Sequence, residues 1–282
     1  MKFGVYATNW GQLASKKAIR EMALLAEEEG YDTCWLGDVI MPREEDREAL
    51  GNTYEPLTTL AYLAADTSRI ALGVAVLVLP LRNPIVVAKE MATIDVLSEG
   101  RTILGVGVGW REDEFRFLGA DFHKRGRVLD EATKVLRILW VDDKPRFKGK
   151  YFNFTGGVFE PKPAQKDGIP IWVGGNSDAA IRRAATLGDA WHPSSIPIND
   201  FARGIRKLRK LTPPKRKVLA SVEYRMMLTP GKKQYPDWKP DLYPQVLTGD
   251  ARTFIKILED LDELGLEHFQ CDFGYSSVDD LR

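Results

Sequence analysis

Hydrophobic and polar positions along this chain switch repeatedly between two patterns. Short apolar runs of strand length give way to longer segments whose apolar residues fall three and four apart, the spacing of one helix face. KFGVYATN (2–9) reads as a strand. KKAIREMALLAEEEG reads as a helix with Ile19, Met22, Ala23, Leu25 and Ala26 on one face, and it stops at Gly30. TCWLGD (33–38) is a second strand and EPLTTLAYLAADT (55–67) a second helix. RIALGVAVLVLP (69–80) is the third strand, followed by a helix with Pro84 in its first turn and Gly100 past its end. TILGVGVG (102–109) is the fourth strand, and VLDEATKVLRILW a long amphipathic helix after it. IPIWVGG (169–175), DAWHPSS (189–195), KVLASVEYRMMLT (217–229) and LEHFQCDFGY (266–275) supply strands five to eight. The helices NSDAAIRRAATLG, NDFARGIRKLRKL and DARTFIKILEDLDELG alternate with them.

Strand–helix units in unbroken succession, with strands apolar enough to be covered on their outer face, predict an α/β fold of the (β/α)8 TIM-barrel type. The reading is one domain over 1–282, with inserted loops at about 39–54, 141–168 and 230–249. The second insertion carries an aromatic-rich hairpin at 145–163, and the end of the chain leaves room only for a truncated eighth helix. A doubly wound sheet is the competing fold. It calls for a phosphate loop after strand one, where TNWGQL offers no GxGxxG.

Composition narrows the function classes. The formal net charge is +0. That argues against a nucleic-acid or acidic-membrane partner, and the basic stretch RGIRKLRKLTPPKRK (203–217) reads as a solvated helix face. No apolar run reaches the ~20 residues of a membrane helix. The opening FGVYAT lacks a signal-peptide pattern, which predicts a cytoplasmic protein. Cys34 and Cys271 fall in strands and read as packed thiols, and His123, His192 and His268 have no metal-ligand spacing, so no metal site is expected.

In a barrel of this kind the site lies at the C-terminal ends of the strands. The residues there are rich in glycine and aromatics and poor in carboxylates, which suits a flat ring cofactor that brings its own chemistry. Gly105, Gly107 and Gly109 alternate and therefore share one side of strand four. With no side chains there, a ring with a phosphate tail can approach the backbone. Gly174 and Gly175, followed by Asn176 at a helix start, offer free N–H groups to a phosphate, or else a tight turn with a cap. His192 is the candidate acid/base group or a structural histidine. Asp38 is a candidate for the ring or a loop cap. Trp10, Trp110 and Trp191 are candidates for the pocket wall.

Four stretches in register carry a family resemblance: GVAVLVLPLRNPIVVAKEMATIDVLSEGRTILGVGVGWREDEF, GRVLDEATKVLRILW, FEPKPAQKDGIPIWVGGNS and LGDAWHP. They resemble the luciferase-like monooxygenase family, and within it the branch of deazaflavin oxidoreductases that use coenzyme F420. The resemblance runs from Phe3 to about Pro193. It implies a ring at the barrel mouth backed by a strand-three bulge, with a non-prolyl cis peptide at Ala75–Val76. It further implies a phosphate near Gly107, Val108, Gly109, Gly174, Gly175 and Asn176, and a homodimer built around helices two and three. Catalytic His192 and Asp38, with Trp191 beside the ring, complete the expected site.

The expected activity is hydride transfer between deazaflavin C5 and a small organic substrate. The alternatives are an FMN-dependent monooxygenase or reductase, a non-catalytic flavin-binding protein and, less favoured, a barrel hydrolase. The sugar-phosphate branch has His directly after the strand-two Asp and Glu after the last strand-four glycine. Here those positions are Val39 and Trp110.

Overall fold

A computed structural model describes residues 1–228 and 246–273. Its centre is made of β1 (Lys2–Tyr6), β2 (Thr33–Leu36), β3 (Ala71–Val78), β4 (Thr102–Gly107), β5 (Ile171–Gly174), β6 (Ala190–His192), β7 (Leu219–Leu228) and β8 (His268–Phe273). Each pairs in parallel with the next, and β8 returns to pair with β1, which closes the barrel. The (β/α)8 architecture predicted from the alternating periods is therefore present.

Helices α1 (Lys16–Glu28), α2 (Pro56–Asp66), α3 (Pro84–Leu97), α4 (Arg125–Val141), α5 (Asp178–Leu187), α6 (Ile198–Leu211) and α7 (Ala251–Glu263) surround the strands. Their starts follow from local chemistry. Ser15, Asn83, Ser177 and Asp250 each accept an N–H of the first turn, and Pro56 and Pro84 occupy positions whose N–H would be idle.

Two insertions hold more structure than their composition implied. The 39–54 segment contains helical turns at Glu44–Asp46 and Arg47–Leu50. The last residues of the 230–249 insertion, Val246–Gly249, form a further strand parallel to the distal half of β7. The hairpin expected at 145–163 is a short pairing of Phe147–Lys148 with Asn153–Phe154. The truncated eighth helix and the rest of the third insertion lie outside the described residues.

Period-two alternation sorts every strand into an outward and an inward set. Outward residues such as Cys34, Leu36, Leu72, Val74, Leu104 and Val106 join the helices in the main apolar core. Burial pushes the Cys34 and Cys271 thiols up to about 12, which keeps both protonated and inert. The inward set is unusual in being aromatic and polar. Trp35 and Trp172 pack at 5.0 Å between centroids, His192 stacks on Trp35 at 5.7 Å, and His268 meets Trp172 edge-on at 4.8 Å. Glycines make room for them: a Cβ at Gly73 would stand 2.4 Å from the Trp35 ring. A hydrogen-bonded chain runs through this interior. Trp35 Nε1 donates to Thr33 Oγ1, which lies 2.8 Å from His268 Nε2; Ser221 Oγ then joins His268 Nδ1 to His192 Nδ1.

Near the mouth, β3 slips register against β4 between Val74 and Leu77. The slip drives Val76 across the barrel, where β4 and β5 carry no side chains. A Cβ on Gly107 would lie 2.5 Å from Val76 Cγ2, one on Gly174 2.8 Å from Val76 Cγ1, and one on Gly105 3.1 Å from the same methyl. Gly105 and Gly107 of strand four thus admit Val76, which takes up part of the side that the alternating glycines leave open.

At the opposite end, Asp95 of α3 is fully buried and ties three segments together. Its carboxylate accepts from the Thr102 hydroxyl at 2.6 Å, from Gln165 Nε2 at 2.7 Å and from Gln165 N at 3.0 Å.

Two stability outcomes follow. Gly107→Ala is expected to lower the unfolding free energy by about 1–3 kcal/mol through overpacking, measured by urea denaturation. Val76→Ala in the same chain is expected to recover part of that loss, and strictly additive effects would refute the contact. Asp95→Ala leaves the buried Thr102 hydroxyl and the half-buried Gln165 donors without this acceptor, for an expected loss of about 1–3 kcal/mol in the same assay.

Candidate active site

The mouth is held together by short polar side chains that link one strand end to the next. Buried Asn9, after β1, donates to the Gly37 and Tyr54 carbonyls and accepts from Gly37 N at 2.8 Å. It fixes the exit of β2 against the 39–54 segment. Asp38 follows. One carboxylate oxygen accepts from Val78 N at 2.8 Å, and the other takes Arg82 Nη2 at 2.7 Å. Burial pushes the Asp38 carboxyl up, while the Arg82 guanidinium and the Val78 amide pull against it. Arg82 also reaches Glu55 at 3.0 Å. Asp38 therefore ties the end of β2 to the end of β3, with both oxygens engaged.

The Ala75–Val76 peptide is cis, at the position the resemblance implied. Both residues are half-buried in a strand whose preceding residues are buried, so the bulge surfaces at the mouth. Tyr6 Oη lies 2.9 Å from the Ala75 carbonyl oxygen and 3.0 Å from Glu223 Oε2. The other Glu223 oxygen accepts from Ser194 Oγ at 3.1 Å. Burial, reinforced by the nearby Asp272 charge, pushes the Glu223 carboxyl up to about 7, against the bonds from Tyr6 and Ser194. Arg225, two residues along β7, is committed to Asp272 at 2.9 Å.

His192 belongs to this interior rather than to the rim. It is 2% exposed, stacked on Trp35 and bonded through Nδ1 to Ser221. Burial lowers its imidazole to about 4, so the ring stays neutral near pH 7. Its Nε2 stands 4.0 Å from Glu223 Oε2. Trp191, the other strand-six candidate, faces outward. It stacks on Phe201 at 5.5 Å, fits over Gly204 of α6 and donates to the Gly175 carbonyl. Alternation along β6 puts His192 inside and therefore Trp191 outside, which takes the Trp191 ring off the mouth.

The residues put forward for a phosphate lie at the ends of β4 and β5. Val108 packs on the core, and Gly109, at φ +74°, gives its carbonyl to Arg125 Nε. Gly175 has φ +111°, a conformation that glycine adopts freely. Asn176 bridges to the exit of β6 by donating to the Ser194 carbonyl and accepting from Ser194 N. Ser177 caps α5, whose first-turn N–H groups open beside this turn. Neighbouring Ser195 sits at φ +47° with its hydroxyl buried and, among the described residues, without a hydrogen-bond partner.

Around the rim, Trp10 packs edge-on against Tyr6 at 5.0 Å, over the space that Gly37 leaves. Trp110 is 61% exposed, with the Arg111 guanidinium against its ring. Ile40 and Met41 are also exposed, their amides both received by Glu114 Oε1. A buried Arg111–Asp46 ion pair at 2.7 Å anchors the rest of this segment.

The reading of the mouth as poor in carboxylates is corrected by β7 and β8, which send Glu223, Arg225 and Asp272 inward. The signal was present in the sequence. Ser221, Glu223 and Arg225 alternate with apolar residues in a strand whose outer face is covered, so the polar positions had to face the barrel interior. Among the described residues, no cluster of His, Cys, Asp and Glu is placed to hold a metal ion, and no helix is long and apolar enough to cross a membrane.

The geometry can be set beside known proteins. An F420-dependent glucose-6-phosphate dehydrogenase from Kineococcus radiotolerans is 33% identical over 195 residues, covering 68% of this chain and 56% of the relative. The chain spans little more than half the length of such dehydrogenases, 51% to 57%. Among solved structures, an F420-dependent secondary alcohol dehydrogenase in complex with an F420–acetone adduct superposes with a TM-score of 0.80 at 22% identity, covering 99% of this chain and 95% of the other. The F420-dependent tetrahydromethanopterin reductase of Methanopyrus kandleri gives 0.75 at 17%, with 96% and 92% covered. At these identities the superpositions speak for the barrel alone. The sequence profile of the luciferase-like monooxygenases matches residues 1–222, from β1 into β7, and with that match the chain belongs to the luciferase-like monooxygenase family.

Proposed function

We propose that this chain is a coenzyme F420-dependent oxidoreductase that moves a hydride between deazaflavin C5 and a small organic substrate. The observation that carries the reading is the bulge in β3, where Ala75 and Val76 come to the surface at the mouth of a barrel otherwise filled with side chains. The names of the relatives about one-third identical to this chain support the choice of deazaflavin.

The residues present fit a flat ring with an anionic tail. Ala75 and Val76 would back the ring, with Trp10 at its edge and Asp38 and Arg82 fixing the strand ends behind it. Backbone at Gly107, Val108 and Gly109, and at Gly174, Gly175 and Asn176, would receive the phosphate beside the first turn of α5. The partnerless buried hydroxyl of Ser195 fits a further hydrogen bond there. When bound, the deazaflavin would supply two-electron hydride exchange at C5, and the protein would supply orientation and exclusion of water. His192 enters this reading as a neutral, interior ring rather than as the titrating group.

The substrate class follows from the rim. Val39 and Trp110 hold the positions where the sugar-phosphate branch carries His and Glu, and Ile40 and Met41 extend an apolar edge. We assign a small, uncharged alcohol or carbonyl compound rather than a sugar phosphate. A homodimer and a cytoplasmic location complete the proposal, as the resemblance and the sequence suggest.

Fluorescence titration of the full chain is expected to show saturable binding of F420 and much weaker binding of FMN. Tight FMN binding without F420 binding would overturn the cofactor assignment. Asn176→Asp sets a negative charge beside the proposed phosphate at unchanged size. It is expected to weaken F420 about tenfold or more, about 1.4 kcal/mol, in the same titration, and an unchanged Kd would remove the turn from the site.

A further inference from the structure

Glu223 is a buried carboxyl whose partners converge from several strands. Tyr6 reaches Oε2 from β1, Ser194 reaches Oε1 from beyond β6, Asp272 approaches from β8, and neutral His192 lies behind at 4.0 Å. Arg225, on the same face of β7, acts on Glu223 but is bonded to Asp272 through Nε and Nη2. Among the described residues Glu223 therefore has hydrogen-bonding partners and shares its cation with a second carboxylate, a setting in which a carboxyl keeps its proton.

Hydrogen counting at Tyr6 then gives the carboxyl a consequence. The phenol has one hydrogen and stands within bonding distance of two oxygens, the Ala75 carbonyl and Glu223 Oε2. A carbonyl only accepts, and a carboxylate only accepts. When Glu223 is ionised, the Tyr6 hydrogen goes to the carboxylate, the stronger acceptor, and the Ala75 carbonyl loses it. When Glu223 is protonated, it donates to Tyr6 Oη, and the Tyr6 hydrogen goes to the Ala75 carbonyl.

We infer that Glu223 is the proton-holding positioning residue of the mouth: in its neutral form it turns the Tyr6 hydroxyl onto the Ala75 carbonyl, and its ionisation withdraws that bond from the bulge. The inference extends the cofactor reading, because Ala75–Val76 is where the ring is proposed to rest. It assigns to Glu223 the proton-holding role expected of His192, without requiring Glu223 to touch substrate. The sign is set by chemistry. Below about pH 7 the chain runs Glu223 to Tyr6 to Ala75, and above it Tyr6 points at Glu223.

The test begins on the full chain without cofactor. Difference infrared titration between about pH 5 and about pH 9 is expected to show a protonated-carboxyl carbonyl band that disappears near neutrality, about two to three pH units above an ordinary glutamate. The band should be missing in E223Q. In Y6F, which leaves Glu223 in place, its loss should move to higher pH, since the carboxylate loses a donor. Absence of a neutral-range carboxyl band, its survival in E223Q, or an unmoved midpoint in Y6F would each overturn the inference.

F420 titrations across the same range supply the functional arm. The amide of E223Q can donate to Tyr6 as the acid does, so this variant is expected to hold the low-pH affinity throughout. Wild type should fall below it by roughly five- to tenfold at alkaline pH, the value of one hydrogen bond. Parallel pH profiles for the two proteins would also overturn it. Absence of F420 binding to wild type at every pH would refute the cofactor reading instead, and the infrared arm decides Glu223 on its own.

Discussion

The seating of Val76 against three glycines is the contact on which the mouth depends. A parallel strand that slips register must put its extra residue somewhere, and a close-packed barrel interior has no spare volume. Gly105, Gly107 and Gly174 supply that volume on the two neighbouring strands. Because Val76 fits there, the Ala75 carbonyl is delivered to Tyr6, and β3 resumes pairing at Leu77 with its end pinned through Val78 to Asp38. Each later feature of the mouth, from the rim segment to the Glu223 cluster, is referred to a bulge fixed in this way.

The second organising fact is electrostatic. The barrel interior is lined by polar groups, most of them bonded to one another, and it carries little net charge. Two histidines are held neutral by burial and joined through Ser221, and Asp272 is matched by Arg225. That leaves Glu223 as the carboxyl whose protonation is poised near neutrality, in contact with the tyrosine that holds the bulge. At low effective dielectric such a group responds sharply to its neighbours.

Much of this was legible from residue order. The alternation of strand-like and helix-like periods gave the barrel, and glycine spacing in β4 marked a face of close approach. What occupied that face was not legible, because a register slip between β3 and β4 is a property of pairing and not of either strand alone. Trp191 was placed at the mouth because it precedes His192 at a strand end. One residue of alternation turns it onto α6 instead. Glu223 is not singled out by residue order alone, because a strand assignment does not say which face of β7 turns inward. The polar alternation of Ser221, Glu223 and Arg225 carried the information, and its meaning depended on knowing that helices cover the outer face.

The central claim is that the bulge at Ala75–Val76 is the seat of a deazaflavin ring. A crystal structure of the full chain grown with F420 addresses it most directly. The account predicts the ring against Ala75 and Val76, with its phosphate at the Gly174–Asn176 turn and Val76 still seated among the glycines. A ring bound elsewhere on the barrel, or Val76 displaced from its seat among the glycines, would contradict it.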